Sequence, residues 1–249
     1  MSRVIVAIDD PVESYAVLAM AEVAASALDA SMEVLHVVED DETMRLPAQV
    51  PGSPVRTLFG DPVDLLPLSA AESDVVAVVL GARSSSVVPH PAGHLAMALA
   101  GRTDKPVLMV PPGFDPPRQL HTAVVAMEGT PGKARVLQRC IALSTLAGLE
   151  IVVVHVDDVD SVPSFSDQVQ YEAEVYAREF FARHLIDAPQ MRLELHIGVP
   201  AVEVLRAVES AHADLVAVGW PQTDDPGRGM VAREIVDRSP VPVLLVAIA

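Results

Sequence analysis

Short, uninterrupted apolar runs recur along the chain, and between them lie longer stretches in which apolar residues fall at helical spacing. VIVAI at 4–8 and AVVAM at 123–127 are runs of the kind buried on both faces of a parallel sheet, where no polar alternation survives. Further strands are predicted near 33–38, 55–59, 74–80 and 106–110, and again near 151–156, 192–197, 214–218 and 242–247. Helices rich in Ala and Leu are predicted over about 12–29 and 132–147. Asp10, Pro11 and Glu13 offer an N-cap, a proline at the first helical position and an early acid; Thr130 and Pro131 do the first two jobs again. Strands alternating with helices over short loops predict an open parallel α/β sheet.

The pattern also repeats. Asp9 and Glu128, which end matching strands, are 119 residues apart, and so are His36 and His155. GDPVDLL at 60–66 matches GVPAVEVL at 198–205 with a step of 138, and KPVLMVP at 105–111 matches VPVLLVA at 241–247 with a step of 136. The step grows by 19 between the second and third matches, so the second half holds an extra segment of helix length. That segment is SDQVQYEAEVYAREFFARHLID at 166–187, with Val169, Val175, Tyr176, Phe180, Phe181 and Leu185 at helix-like spacing. Where it would fall, the first half carries only a loop rich in Pro and charge at 39–54. PPGFDPPRQLH at 111–121 reads as the linker, giving domains at 1–113 and 121–249 joined by 114–120.

Charge narrows the function. With 17 basic against 34 acidic residues, the formal charge is −17. A surface of that sign repels a phosphate backbone and an anionic leaflet alike, which argues against nucleic acid and membrane surfaces as partners. Cys140, the single cysteine, excludes an intramolecular disulfide and sits among apolar residues as a buried small hydrophobe. The first residues run directly into a strand-like stretch, and no window reaches the ~18 apolar residues of a membrane span. A cytoplasmic protein is expected.

The residues then resemble a known family. A strand ending in Asp before a helix (VIVAIDDPVES), a strand ending in HVV (VLHVVED), Gly-x-Pro before a helix (GDPVDLL), an Asp-led strand ending in Gly (SDVVAVVLGAR) and a last strand PVLMVP are together similar to the universal stress proteins. The resemblance runs over nearly the whole chain, twice, and so implies a tandem member. It implies two tandem, doubly wound, five-stranded parallel sheets of the adenine nucleotide alpha hydrolase-like kind. Single-domain members usually dimerise through the last strand, so the strands at 106–110 and 242–247 are expected to meet as an internal pseudo-dimer and cap two sheet edges.

The same resemblance locates a candidate nucleotide site. ATP-binding relatives carry Gly-x-x-Gly, nine residues, then Gly and Ser or Thr, because backbone N–H groups free of Cβ atoms close around phosphates. Here the first half reads Gly81-Ala82-Arg83-Ser84, eight residues, then Gly93-His94. The second reads Gly219-Trp220-Pro221-Gln222, six residues, then Gly229-Met230. Both copies are eroded, the second more so, with Glu128 in place of Asp and with Asp224 and Asp225 opposing phosphate. The first keeps Asp9, which in ATP-binding relatives faces adenine and ribose, and has Arg83, Ser84, Ser85 and Ser86 to stand in for a nest. The candidate binding residues are therefore Asp9, Val37, Val38, Gly81, Arg83, Ser84 and Gly93.

Other groups carry less. His36 and His155 occupy matching strand ends and read as packing or hydrogen-bonding residues. His90 and His94 are separated by Pro91 and Gly93, which spoils the helical face that a metal pair needs. The acids at 39–42 and at Asp157, Asp158 and Asp160 read as solvated loop ends at the carboxyl edge. No nucleophile elbow, Walker loop or zincin motif is present, so no catalytic or metal-binding residue is assigned. The expected function is a non-enzymatic stress-response protein, a regulatory or interaction module with no bound cofactor and an unidentified protein partner. The alternative is a sensor holding ATP, with Mg²⁺, or a smaller adenine nucleotide in the first half alone. Because the first half lacks the extra covering segment, a homodimer through that half is also expected.

Overall fold

The computed structural model describes residues 2–8, 14–38, 52–82, 93–127, 140, 142, 147–157, 191–222 and 229–248. The first half contains strands β1 (Arg3–Ile8), β2 (Ser31–Val38), β3 (Val55–Phe59), β4 (Val75–Gly81) and β5 (Val107–Val110), with helices α1 (Tyr15–Ala27), α2 (Pro62–Ala70) and α3 (His94–Ala100). The second contains β6 (Thr122–Met127), β7 (Glu150–Asp157), β8 (Met191–Ile197), β9 (Leu215–Pro221) and β10 (Val243–Ile248), with α4 (Pro200–Ser210) and α5 (Met230–Arg238). Every strand expected from the apolar runs is present, with no end shifted by more than three residues.

All ten strands form one sheet in the order β3-β2-β1-β4-β5-β10-β9-β6-β7-β8. Reading outward from the middle, the two halves have the same order, so the duplication is visible as a pseudo-twofold axis. Each half is parallel throughout. The halves meet where β5 and β10 pair antiparallel, with Met109 opposite Val243, Leu108 opposite Leu244 and Val107 opposite Leu245. The expected union of the two last strands is therefore made.

Helices cover both faces, and neither core stops at the seam. On one face Ile5, Leu35, Leu80 and Met109 join Val124, Val152 and Leu245 in a single buried cluster that takes in residues of α2, α3, α4 and α5. On the other, Val4, Val6, Val34 and Val79 join Val125, Val153 and Cys140, with Met20 and Ala24 of α1 above them. The connection at 111–121 is anchored at both ends, since Phe114 packs on this second cluster and Leu120 is buried in it.

Helix ends follow local chemistry. The Asp61 carboxylate accepts the Val63 N–H at 2.8 Å, and Pro62 needs no partner at the first position of α2. One expectation is corrected: α1 starts at Tyr15, not near 12, because Ser14 holds a non-helical φ of −95° and ψ of 11° and its carbonyl accepts the first intrahelical bond, from Leu18. The proposed cap at Asp10–Glu13 lies outside the described residues. So do the extra segment at 166–187 and, apart from Cys140, Ala142 and Ala147, the helix expected at 132–147. Asp29, at φ +48°, closes the other end of α1 in a left-handed turn.

At the amino edge of the first half, charged residues from four elements converge. Arg3 pairs with Glu33 at 2.9 Å, with Asp74 at 3.1 Å and with Glu72, while Arg56 reaches Glu72 at 2.8 Å. Arg56 and then Arg3 hold the Glu72 carboxyl below the usual carboxylate range. A depressed carboxyl stabilises the fold above its unfolded value of about 4.3, and that contribution is lost as pH falls through the lower folded value. Urea unfolding across the acid range should therefore show Glu72→Gln losing stability near neutral pH and flattening the acid limb. An unchanged limb would contradict the assignment.

Candidate functional site

In an open α/β sheet the crevice lies at the carboxyl edge, where the strand order reverses outward from β1. In the first half this point falls between β1 and β4, because β1 leads to β2 on one side and β4 lies on the other. Val37 and Val38 close β2, Gly81 closes β4, and Gly93 caps α3 beneath the same edge. The register sets Ile8 beside His36 and Ala7 beside Leu80, so Gly81 stands level with Ile8 on one side of β1 and Val38 stands two residues beyond that level on the other. The fold thus brings Val37, Val38, Gly81 and Gly93 to one edge. Asp9, Arg83 and Ser84, with Ser85 and Ser86, lie outside the described residues.

Backbone groups at this edge are already engaged. The Val38 carbonyl accepts the Gly60 N–H at 3.0 Å. Gly93 donates its N–H to the Ala82 carbonyl at 2.6 Å, and Ala82 donates to Val110 at 2.8 Å, so residues 82 and 93 are pinned to each other and to the end of β5. Gly93 has φ +71°, and a Cβ there would lie 2.3 Å from Val236 Cγ1 and 3.0 Å from Met109 Sδ. Its bareness thus serves the approach of α5 from the other half. Nothing in the local sequence motif signals Val236.

The second half repeats the geometry with different occupants. Gly229 caps α5 at φ +73°, but a Cβ there would stand 3.3 Å from Pro221 and from Trp220 Cζ3. Trp220 is 5% exposed, with Arg233 stacked 5.0 Å from its ring centroid. Its Nε1 edge faces Gly101 of the first half. Gln222, standing where ATP-binding relatives have the second glycine, donates its amide to the Thr103 carbonyl at 2.8 Å. The side chains of Trp220 and Gln222 therefore reach across the seam. Glu128, Asp224 and Asp225 lie outside the described residues.

The paired histidines make the same bond twice. His36 Nδ1 donates to the Ile8 carbonyl at 3.2 Å, and His155 Nδ1 to the Met127 carbonyl at 3.3 Å, tying neighbouring strand ends together. That is the structural role read from their spacing. His94 opens α3, whereas His90 and the acids at 39–42, 158 and 160 lie outside the described residues. Asp157 sits 3.2 Å from His155 Nε2. Among the described residues no group of three or more His, Cys, Asp or Glu is placed to hold a metal ion, and no helix is long and apolar enough to cross a membrane.

Comparison with known proteins gives the same picture at two levels. The sequence matches the model of the universal stress protein family over residues 120–247. Among solved structures, the fold is similar to a universal stress protein from Archaeoglobus fulgidus DSM 4304, at 15% identity and a TM-score of 0.68, with 99% of this chain and 98% of that one covered. It is also similar to a putative universal stress protein from Pseudomonas aeruginosa UCBPP-PA14, at 17% identity and a TM-score of 0.68, covering 99% and 93%. A functionally unknown protein from Pseudomonas aeruginosa PAO1 matches at 16% identity and a TM-score of 0.69, covering 99% and 92%. None of the curated proteins matches. At these identities the whole-chain matches establish a shared fold.

Proposed function

The chain belongs to the universal stress protein family, and from that premise we propose that it is a non-enzymatic cytoplasmic stress-response module, regulating or docking a protein partner, with little or no affinity for ATP. One observation carries this reading: in the second half, side chains stand where a phosphate cradle needs bare backbone, with Trp220 and Pro221 against Gly229 and the Gln222 amide committed to Thr103. A phosphate needs several convergent N–H donors and no competing volume. The first half supports the reading less strongly, because the Gly93 N–H and the Val38 carbonyl are already partnered within the chain.

Titration calorimetry with ATP and Mg²⁺ tests it. No saturable heat is expected up to about millimolar nucleotide. Clear one-to-one binding that disappears in Asp9→Ala would overturn the proposal in favour of a sensor working through the first half, with Val37, Val38, Gly81, Arg83, Ser84 and Gly93 around the nucleotide. Phosphate release above a buffer control would overturn its non-enzymatic part.

A further inference from the structure

The two halves differ at one half-buried corner in a way that the candidate nucleotide loops do not explain. In the first half, β3 ends and α2 begins with an apolar pair. Leu58 packs on the core, and Leu65 lies over the turn at Gly60, 3.3 Å from where a Cβ would be. The residues 138 positions later are His196 and Glu203. Glu203 takes the same place over the turn, 3.0 Å from a Cβ at Gly198, and is 9% exposed. Two leucines have been replaced by two titratable groups, although each half uses the same turn and the same helix.

We propose that this corner is an acid-tightened clasp, in which a proton on His196 ties β8, an outer strand of the sheet, to the helix α4 that covers it. His196 presents one ring nitrogen to each of two carboxylates: Nδ1 lies 3.3 Å from Glu203 Oε2, and Nε2 lies 3.2 Å from Glu194 Oε2. Two acceptors require two N–H donors. The imidazolium has both and the neutral ring has one, so losing the proton turns one contact into lone pair against carboxylate. Imidazole is the side chain whose ordinary titration falls near neutral pH.

Among the described residues, the surrounding charges do not replace that proton. From α4, Arg206 holds the other oxygen of Glu203 at 2.5 Å, and the first turn of the helix favours the anion. From β8, Arg192 holds the other oxygen of Glu194 at 3.1 Å and reaches Glu150 of β7 at 2.9 Å. The β7 residue in register with His196 is Val156, which brings no charge, and its neighbours His155 and Asp157 sit on the opposite face of the sheet and pair with each other. Both arginines remain cations throughout the range in which imidazole titrates. Among the described residues, His196 is thus the group at the corner whose donor count changes.

Hydrogen exchange of the full-length protein, read as protection factors for peptides spanning 191–206 at about pH 5.5 and about pH 8, provides the test. Protection is expected to be about fivefold higher at the lower pH, the size of one partly solvated charge-assisted bond. Peptides over the apolar counterpart at 55–70 should show no such difference. In His196→Leu combined with Glu203→Leu, which restores the first half's pair, the difference should vanish. Glu194→Gln, a change on the outer strand that leaves the buried turn intact, should shrink it and serves if the double variant does not fold. Equal protection of the unaltered protein at both pH values, or a difference that survives either variant undiminished, would overturn the proposal.

Discussion

Trp220→Ala is expected to remove about 3–5 kcal/mol of folding free energy, the usual cost of deleting a buried indole. Trp220 is 5% exposed at the end of β9, and its ring fills the space beside Gly229, carries the Arg233 guanidinium and abuts Gly101 across the seam. Alanine leaves a cavity that close packing does not easily collapse, because one wall is strand backbone and another belongs to the other half. Urea denaturation followed by circular dichroism measures the loss. A change below about 1 kcal/mol would mean that the ring does not fill the seam. The loss is expected in a single transition, since both buried clusters run through both halves.

Gly93→Ala should cost about 2–4 kcal/mol, for two separable reasons. The backbone at φ +71° disfavours any side chain by about 1 kcal/mol, and a methyl 2.3 Å from Val236 Cγ1 adds about 1–3 kcal/mol of overpacking. Gly113, at φ +73° with nothing within 4 Å, isolates the first term, so Gly113→Ala should lose only the backbone part. In a Val236→Ala background the clash is relieved, and the double-mutant cycle should return a coupling of about 1 kcal/mol or more. Additive losses in thermal or urea unfolding would show that Gly93 and α5 do not meet as described.

Much of the fold was legible because the chain states it twice. Val4–Ile8 and Ala123–Met127 are apolar without alternation, as a doubly covered parallel strand must be, and the paired spacing of His36 and His155 anticipated a shared packing or hydrogen-bonding role, met by matching bonds to Ile8 and Met127. The start of α1 was less legible, since Asp10, Pro11 and Glu13 offered a convincing cap upstream of Ser14, where the backbone leaves helical geometry. Side-chain contacts between the halves, unlike the union of β5 and β10, left no local trace. Gln222 and Thr103 are 119 residues apart, and no periodicity links Gly93 to Val236. For the candidate site, sequence spacing placed Val37, Val38, Gly81 and Gly93 together at one edge, because strand ends fix that edge whatever the loops contain. It did not foresee that bareness at Gly93 answers to a valine. The exchange of Leu58 and Leu65 for His196 and Glu203 was readable from the repeat, but only once the shared turn showed that the four residues are equivalents.

The antiparallel pairing of Val107–Met109 with Val243–Leu245 has a consequence for how the protein behaves in a cell. Two separate polypeptides joined along such a border would part on dilution and could trade places with sister molecules. Here a tether of about ten residues keeps the mate at an effective concentration on the order of millimolar. The border is therefore filled from within one chain, and a second molecule competes for it only as its own concentration approaches that value.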